Sequence, residues 1–313
     1  MNESKAPSPV VPTPLATPLP ARAAERGRWT RRIRGIGRVL VAYKLAVAGV
    51  IIVVALAAFC FVGPMVYHTE QVHGDLAAAN LPPGSPGHPL GTDDVGFDLL
   101  GRLMLGGRTS LIVGICAAIF ATLFGAVWGA VAGYIGGVGD MLMMRVVDAL
   151  SPMPSLFILI FISHILPLNL LLLILLVSFV AWLGPARLVR GESLSLKVRD
   201  FVQAGHTMGG GATHAIVRHL LPNTAGTMLV NASFQVADAI LYVAALSYLG
   251  ISLPPPNADW GTMLSNGTQF THAGYWWMIV FPGAAIVLVV MAFNLIGEAL
   301  SDAFTTRTRG SNV

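Results

Sequence analysis

The chain has 313 residues, of which 55% are hydrophobic and only 11% charged, with a formal charge of +4. Soluble domains carry about 25% charged residues, and the deficit here is concentrated in long apolar runs. That excludes the two soluble domains that length alone would allow. It also leaves no aromatic-studded basic groove or zinc spacing of a nucleic-acid binder. The composition predicts an all-α integral membrane protein.

In chain order, residues 7–20 are rich in Pro, Ala and Thr and are expected to be disordered. A basic run follows, from Arg22 to Arg38, which completes a cytoplasmic N-terminal segment over 1–38. About forty residues precede the first apolar run, too many for the n-region of a signal peptide. A spanning helix needs about 20 mostly apolar residues, and six stretches qualify. They lie near Leu40–Val62, Ser110–Gly133, Met141–Ser163, Leu166–Leu183, Ala225–Leu249 and Met278–Leu300. The first span and an acidic external loop make up 39–108, a five-helix core makes up 109–300, and 301–313 is a cytoplasmic tail. Cys60 and Cys116 lie inside apolar runs and read as small buried hydrophobes.

Lys and Arg placement sets the orientation. The N-terminal segment, the 184–222 loop (Arg187, Arg190, Lys197, Arg199, Arg218) and the tail (Arg307, Arg309) are basic. The 63–109 loop holds only Arg102 and Arg108, and 250–277 holds neither Lys nor Arg. Both termini and the 184–222 loop are therefore expected in the cytoplasm, which six crossings permit.

Within 186–208, Leu194, Val198, Phe201, Val202 and Met208 recur at roughly helical spacing among charges. Gly209-Gly210-Gly211 ends that helix. A second stretch, Thr213–Leu221, is expected to stop at Pro222. The pattern is helix, sharp turn, helix: a knob for a cleft on a soluble partner, or a helix lying on lipid.

Inside the spans, Arg145 and Asp148 stand at i, i+3, either as a helix-end ion pair or as a latch to another subunit. Asp238 lies mid-helix and is expected to face a cavity or another subunit, as a pathway residue or as a satisfied polar group. Asn231 and Gln235 of the same helix are further pathway candidates. Pro152 and Pro154 predict a kink in the third helix. Gly125, Gly129 and Gly133 predict close helix packing. The sequence holds no G-x-x-x-x-G-K-[ST] loop, no H-E-x-x-H and no G-x-S-x-G, so a nucleotide, zinc-protease or hydrolase site is not indicated. An ion-coupled transporter would need midplane acids and an internal repeat. Asp238 is a lone candidate and no repeat is visible.

Gln203-Ala-Gly205, three residues, Gly209, nine residues and then His219-Leu220-Leu221-Pro222 resemble the Glu-Ala-Ala motif of ATP-binding-cassette importer permeases. Further stretches are similar to the DppC/OppC branch, which serves dipeptides, oligopeptides or nickel. They are His88-Pro-Leu-Gly-Thr-Asp93, Asp98-Leu-Leu-Gly-Arg102, Arg145-Val-Val-Asp148 with Pro154-Ser155, Arg218-His-Leu-Leu-Pro-Asn223, Pro255-Pro-Asn-Ala-Asp-Trp-Gly261, and Phe281-Pro282 with Phe293-Asn294-Leu295. The resemblance covers about residues 35–308. Gln203 replaces the motif's Glu, Gly205 its second Ala and His219 its Ile, and Phe97 stands where the branch usually has Arg.

The resemblance implies a non-catalytic permease subunit of a type I ATP-driven importer in a bacterial cell membrane, forming half of a path for peptides, or alternatively for nickel or another small solute. It implies a second permease (DppB/OppB-like), one or two ATPase subunits (DppD/DppF-like) that carry the ATP-Mg, and an extracytoplasmic binding protein. It assigns ATPase coupling to Gln203, Ala204, Gly205, Met208, Gly209, Gly210 and Pro222. No cofactor or metal is expected on this chain.

Overall fold

The structure is a computed structural model that describes residues 44–254 and 256–309. The Pro-rich segment and the basic run 22–38 lie outside the described residues. Among those described the fold is all-helical. The long helices are α1 (Lys44–Phe61), α2 (Leu99–Ile135), α3 (Gly137–Leu150), α4 (Ser155–Ile165), α5 (Leu170–Ala181) and α6 (Leu183–Lys197), followed by α7 (Asp200–Thr207), α8 (Leu221–Tyr248), α9 (Trp260–Gln269) and α10 (Trp277–Arg309). Four described helices are long and apolar enough to cross a membrane, and up to six spans result if each of two bent pairs counts as one.

Helix α2 is the axis. At 1.5 Å per residue its 37 residues reach about 55 Å. The Gly125/Gly129/Gly133 stripe lets α6 lie directly on it. A Cβ on Gly125 would stand 2.5 Å from the Trp182 carbonyl oxygen, one on Gly133 would be 2.7 Å from Ser193 Cβ, and one on Gly129 would collide with the Ala186 carbonyl. The same stripe continues toward the start of α2, where Gly114 accepts Ile240 of α8. Helix α1 packs on α10, and Gly49 sits against the Ala292 carbonyl.

The third predicted span is broken rather than kinked. Helices α3 and α4 meet at 83° across Ser151–Pro154. Pro152 and Pro154 remove two N–H donors two positions apart, and Pro154 itself is extended, with ψ 120°, so the helix stops instead of bending. The fourth span bends by 46° at Trp182, and Pro185 supplies the cause. Its missing N–H leaves the Ala181 carbonyl, one turn earlier, without a helical donor. Gln235 Nε2 of α8 donates to that carbonyl at 2.6 Å. The bend is also filled by Trp182, whose ring packs edge-on against Phe124 and Trp128 at 5.0 and 5.2 Å.

The loop between α1 and α2 is a compact scaffold. Asp98 caps α2 by accepting the Gly101 N–H at 2.8 Å, and it also holds His88 Nδ1 at 3.1 Å and the Tyr67 hydroxyl at 3.3 Å. Asp93 accepts N–H groups from Phe97 and Val95, with Arg102 at 3.6 Å. Burial outweighs these donors and pushes the Asp93 carboxyl above its ordinary range. Where the branch usually has Arg, the Phe97 ring carries Arg102 stacked 3.9 Å above it. Trp277 Nε1 donates to the Thr92 carbonyl and ties this loop to α10. Asp259 caps α9, and the fully buried Trp260 donates from Nε1 to the Leu103 carbonyl at 2.9 Å.

Candidate functional site: the projecting helical turn and the α8 face

The amphipathic stretch 186–208 is two helices, not one. Helix α6 ends at Lys197, the chain turns through Val198 and Arg199, and α7 begins at Asp200. Gln203 Nε2 donates to the Lys197 carbonyl at 3.0 Å and so satisfies one of the open carbonyls at the end of α6. A carboxylate at 203 could not donate that bond.

Helix α7 ends in the Gly209 turn. Gly209 has φ +85°, the left-handed backbone that favours glycine. The Gly210 N–H donates to the Gly205 carbonyl at 2.9 Å. A Cβ on Gly210 would lie 2.6 Å from that oxygen, so the position requires close approach. The chain then re-enters a helix at Ala212–Ala215.

Pro222 does not end this second helix. The described chain is helical from Ala212 to Tyr248. A π-turn over Ile216–Leu220 precedes the proline, with the Leu221 N–H donating to the Ile216 carbonyl five residues back. Widening the turn before a residue that lacks an N–H lets the helix pass through it.

The knob has a small core of Val202, Ala215 and Leu220. Only Val202 of the predicted apolar stripe is buried. Val198, Phe201 and Met208 are exposed, Met208 to 82%, and so is Val217 of the returning helix. Two of the motif departures answer each other. His219 Nε2 would stand 3.3 Å from a Cβ at position 205, so glycine there makes room for the larger ring.

The ion pair read from i, i+3 spacing is not the one that forms. Asp148 is paired with Arg187 of α6 at 2.9 Å, and Arg145 has no ion pair among the described residues. The two side chains of Arg145 and Asp148 sit on one helix, whereas Arg187 reaches across from a packed neighbour. Next to this pair, Arg190 grips Asp140 with two bonds of 2.6 and 2.7 Å. The α3–α6 contact is thus held by two inter-helix pairs that local spacing could not reveal.

On α8 the three pathway candidates separate. Asp238 is exposed on the single chain. Gln235 is only 8% exposed and is committed to the Ala181 carbonyl. Asn231 is half-buried, with its Oδ1 lacking a partner. Sequence reasoning missed Asp140 and the pairings of Arg187 and Arg190, and the signal available was charges of both signs near the ends of two apolar runs.

Comparison with known proteins matches the family model described as "binding-protein-dependent transport system inner membrane component" over residues 125–310. A second model, the N-terminal TM domain of oligopeptide transport permease C, matches residues 33–83. The chain is 40% identical over 267 residues to the oligopeptide transport system permease protein OppC of Escherichia coli K12, covering 85% of this chain and 88% of that one. It is 35% identical to OppC of Bacillus subtilis strain 168, over 85% and 87% of the two chains. The dipeptide transport system permease protein DppC of the same organism is 37% identical over 85% and 83%. The apolar helices, the projecting turn and these matches agree: this chain belongs to the family of binding-protein-dependent transport system inner membrane components.

Proposed function

We propose that the chain forms half of a peptide path across the bacterial inner membrane and couples it to a separate cytoplasmic ATPase. The observation that carries this is the projecting turn, with Val198, Phe201, Met208 and Val217 exposed over the Val202–Ala215–Leu220 core. An ATPase groove that receives it would bury that surface, and rigid-body motion of the knob would pass to α6 and α8, which flank it. Gln203, Ala204, Gly205, Met208, Gly209, Gly210 and Pro222 shape or present it. The bent pairs count as single spans in this reading, giving six crossings with both termini in the cytoplasm. ATP-Mg belongs to the ATPase subunits, and a second permease supplies the other half of the path. An extracytoplasmic binding protein delivers dipeptides or oligopeptides, the substrates in the names of the relatives. Asp238, exposed at mid-helix, faces that path.

The test is co-purification of the tagged chain with its genomic neighbours. An ATPase, a second permease and a binding protein are expected together. Gly209→Asp is expected to release the ATPase while the chain stays folded. Asp is among the side chains that tolerate left-handed backbone, and nothing lies within 4 Å of a Cβ there. Retention of the ATPase by the variant, or purification of the chain alone, would refute the coupling role.

A further inference from the structure

An open cleft of about 440 Å³ lies between the start of α3 and α6. Arg145, Arg187 and Arg190 line it, with Asp140 and Asp148. Arg190 is fully engaged by Asp140 through two bonds. Arg187 gives Asp148 one bond of 2.9 Å, and both side chains are about half exposed. Arg145 is exposed and forms no ion pair among the described residues. Three guanidinium groups thus face two carboxylates, leaving one positive charge over. Beside them α3 exposes Val138, Met141, Leu142 and Val146, to 66, 54, 62 and 45%. A surplus cation next to exposed apolar helix surface suits an occupant that is a single anion carrying apolar chains.

We propose that this cleft binds the phosphodiester of an anionic phospholipid of the inner leaflet. Arg145 is its main ligand and Arg187 its second. A phosphodiester carries one negative charge and brings the cleft to neutrality, and a guanidinium can meet two of its oxygens at once. The acyl chains lie along Met141, Leu142 and Val146. The assignment rests on the topology proposed above, which puts the α2–α3 turn at the cytoplasmic surface, where basic pockets between helices meet anionic headgroups.

The experiment uses the full chain purified in detergent. It is titrated with phosphatidylglycerol or phosphatidylcholine of identical acyl chains. Retained lipid is counted by native mass spectrometry, and the melting midpoint is followed in parallel. About fivefold greater retention of phosphatidylglycerol is expected, the effect of one basic residue at an anionic surface. Arg145→Gln is expected to bring the ratio close to one without moving the midpoint in detergent alone. Asp148→Asn, which frees Arg187, is expected to raise the ratio. Equal retention of the two lipids, or full preference in Arg145→Gln, overturns the proposal. So does inorganic phosphate raising the midpoint as much as phosphatidylglycerol, which would make this a site for a soluble anion. Loss of the lipid on assembly with a second permease overturns it too, since the cleft would then take a partner's carboxylate. Met141→Cys, in a chain that also carries Cys60→Ala and Cys116→Ala, tests the topology separately. Labelling from outside intact cells would contradict the topology, whatever the lipid result.

Discussion

Removing the Gln235 side-chain amide should cost stability only because Pro185 exists. Pro185 lacks the N–H that would reach the Ala181 carbonyl, and Gln235 Nε2 fills the vacancy at 2.6 Å from 54 residues away. In Gln235→Leu that buried carbonyl loses its donor. An unmet buried acceptor costs about 1–3 kcal/mol in proteins generally, and inter-helix hydrogen bonds in membranes average about 0.6 and reach about 1.7 kcal/mol. The expected loss is therefore about 1–1.5 kcal/mol. In a Pro185→Ala background the peptide N–H returns and can bond to Ala181 along the helix. There Gln235→Leu should cost about 0.5 kcal/mol or less, a coupling of about 1 kcal/mol between the two positions. Reversible unfolding in mixed micelles with increasing dodecyl sulfate, followed by circular dichroism, gives all four corners of the cycle. Equal losses in both backgrounds would refute the reasoning, because Gln235 would then matter for something other than the carbonyl that Pro185 frees.

Three further outcomes follow from the packing. Gly129→Val would drive a branched side chain into the Ala186 carbonyl and separate α2 from α6, lowering stability in the same unfolding assay by about 1–3 kcal/mol or abolishing folded expression. Trp260→Phe keeps the buried ring but loses the Nε1 bond to Leu103, and should cost about 1 kcal/mol with no change in assembly on co-purification. Gly205→Ala should destabilise the knob when His219 is present and be neutral or stabilising with His219→Ile. Protease protection of the 198–217 segment reads the pair, with at least about 0.5 kcal/mol of non-additivity expected.

Much of this architecture is legible in residue order, and the gaps have physical reasons. Apolar runs of spanning length mark α1, α2, α8 and α10 because lipid selects them directly. The Gly125–Gly129–Gly133 stripe announces a close neighbour, although only the folded chain shows that the neighbour is α6. Pro152 and Pro154 signal a disturbance whose size, a full break, depends on two donors lost two positions apart. Pro222 misleads, since the π-turn before it absorbs the missing N–H. Arg145 and Asp148 mislead in another way. Spacing along one helix says that two charges can meet, and a cation on a packed neighbour can still take the carboxylate. Arg187 does so here. The pairing of Gln235 with the carbonyl freed by Pro185 is invisible in sequence because its two halves lie on different spans. In the 184–222 loop the glycines mark the turn, while the fit of Gly205 to His219 emerges only when α7 folds back on the returning helix.

The most direct test of the central claim is ATP hydrolysis and uptake by the assembled complex in proteoliposomes. The account predicts that peptide-loaded binding protein stimulates hydrolysis and drives ATP-dependent peptide uptake, and that Gly209→Asp uncouples the two by losing the ATPase. Transport by this chain alone, driven by an ion gradient and indifferent to ATP, would contradict it and turn attention to Asp238 as a coupling acid.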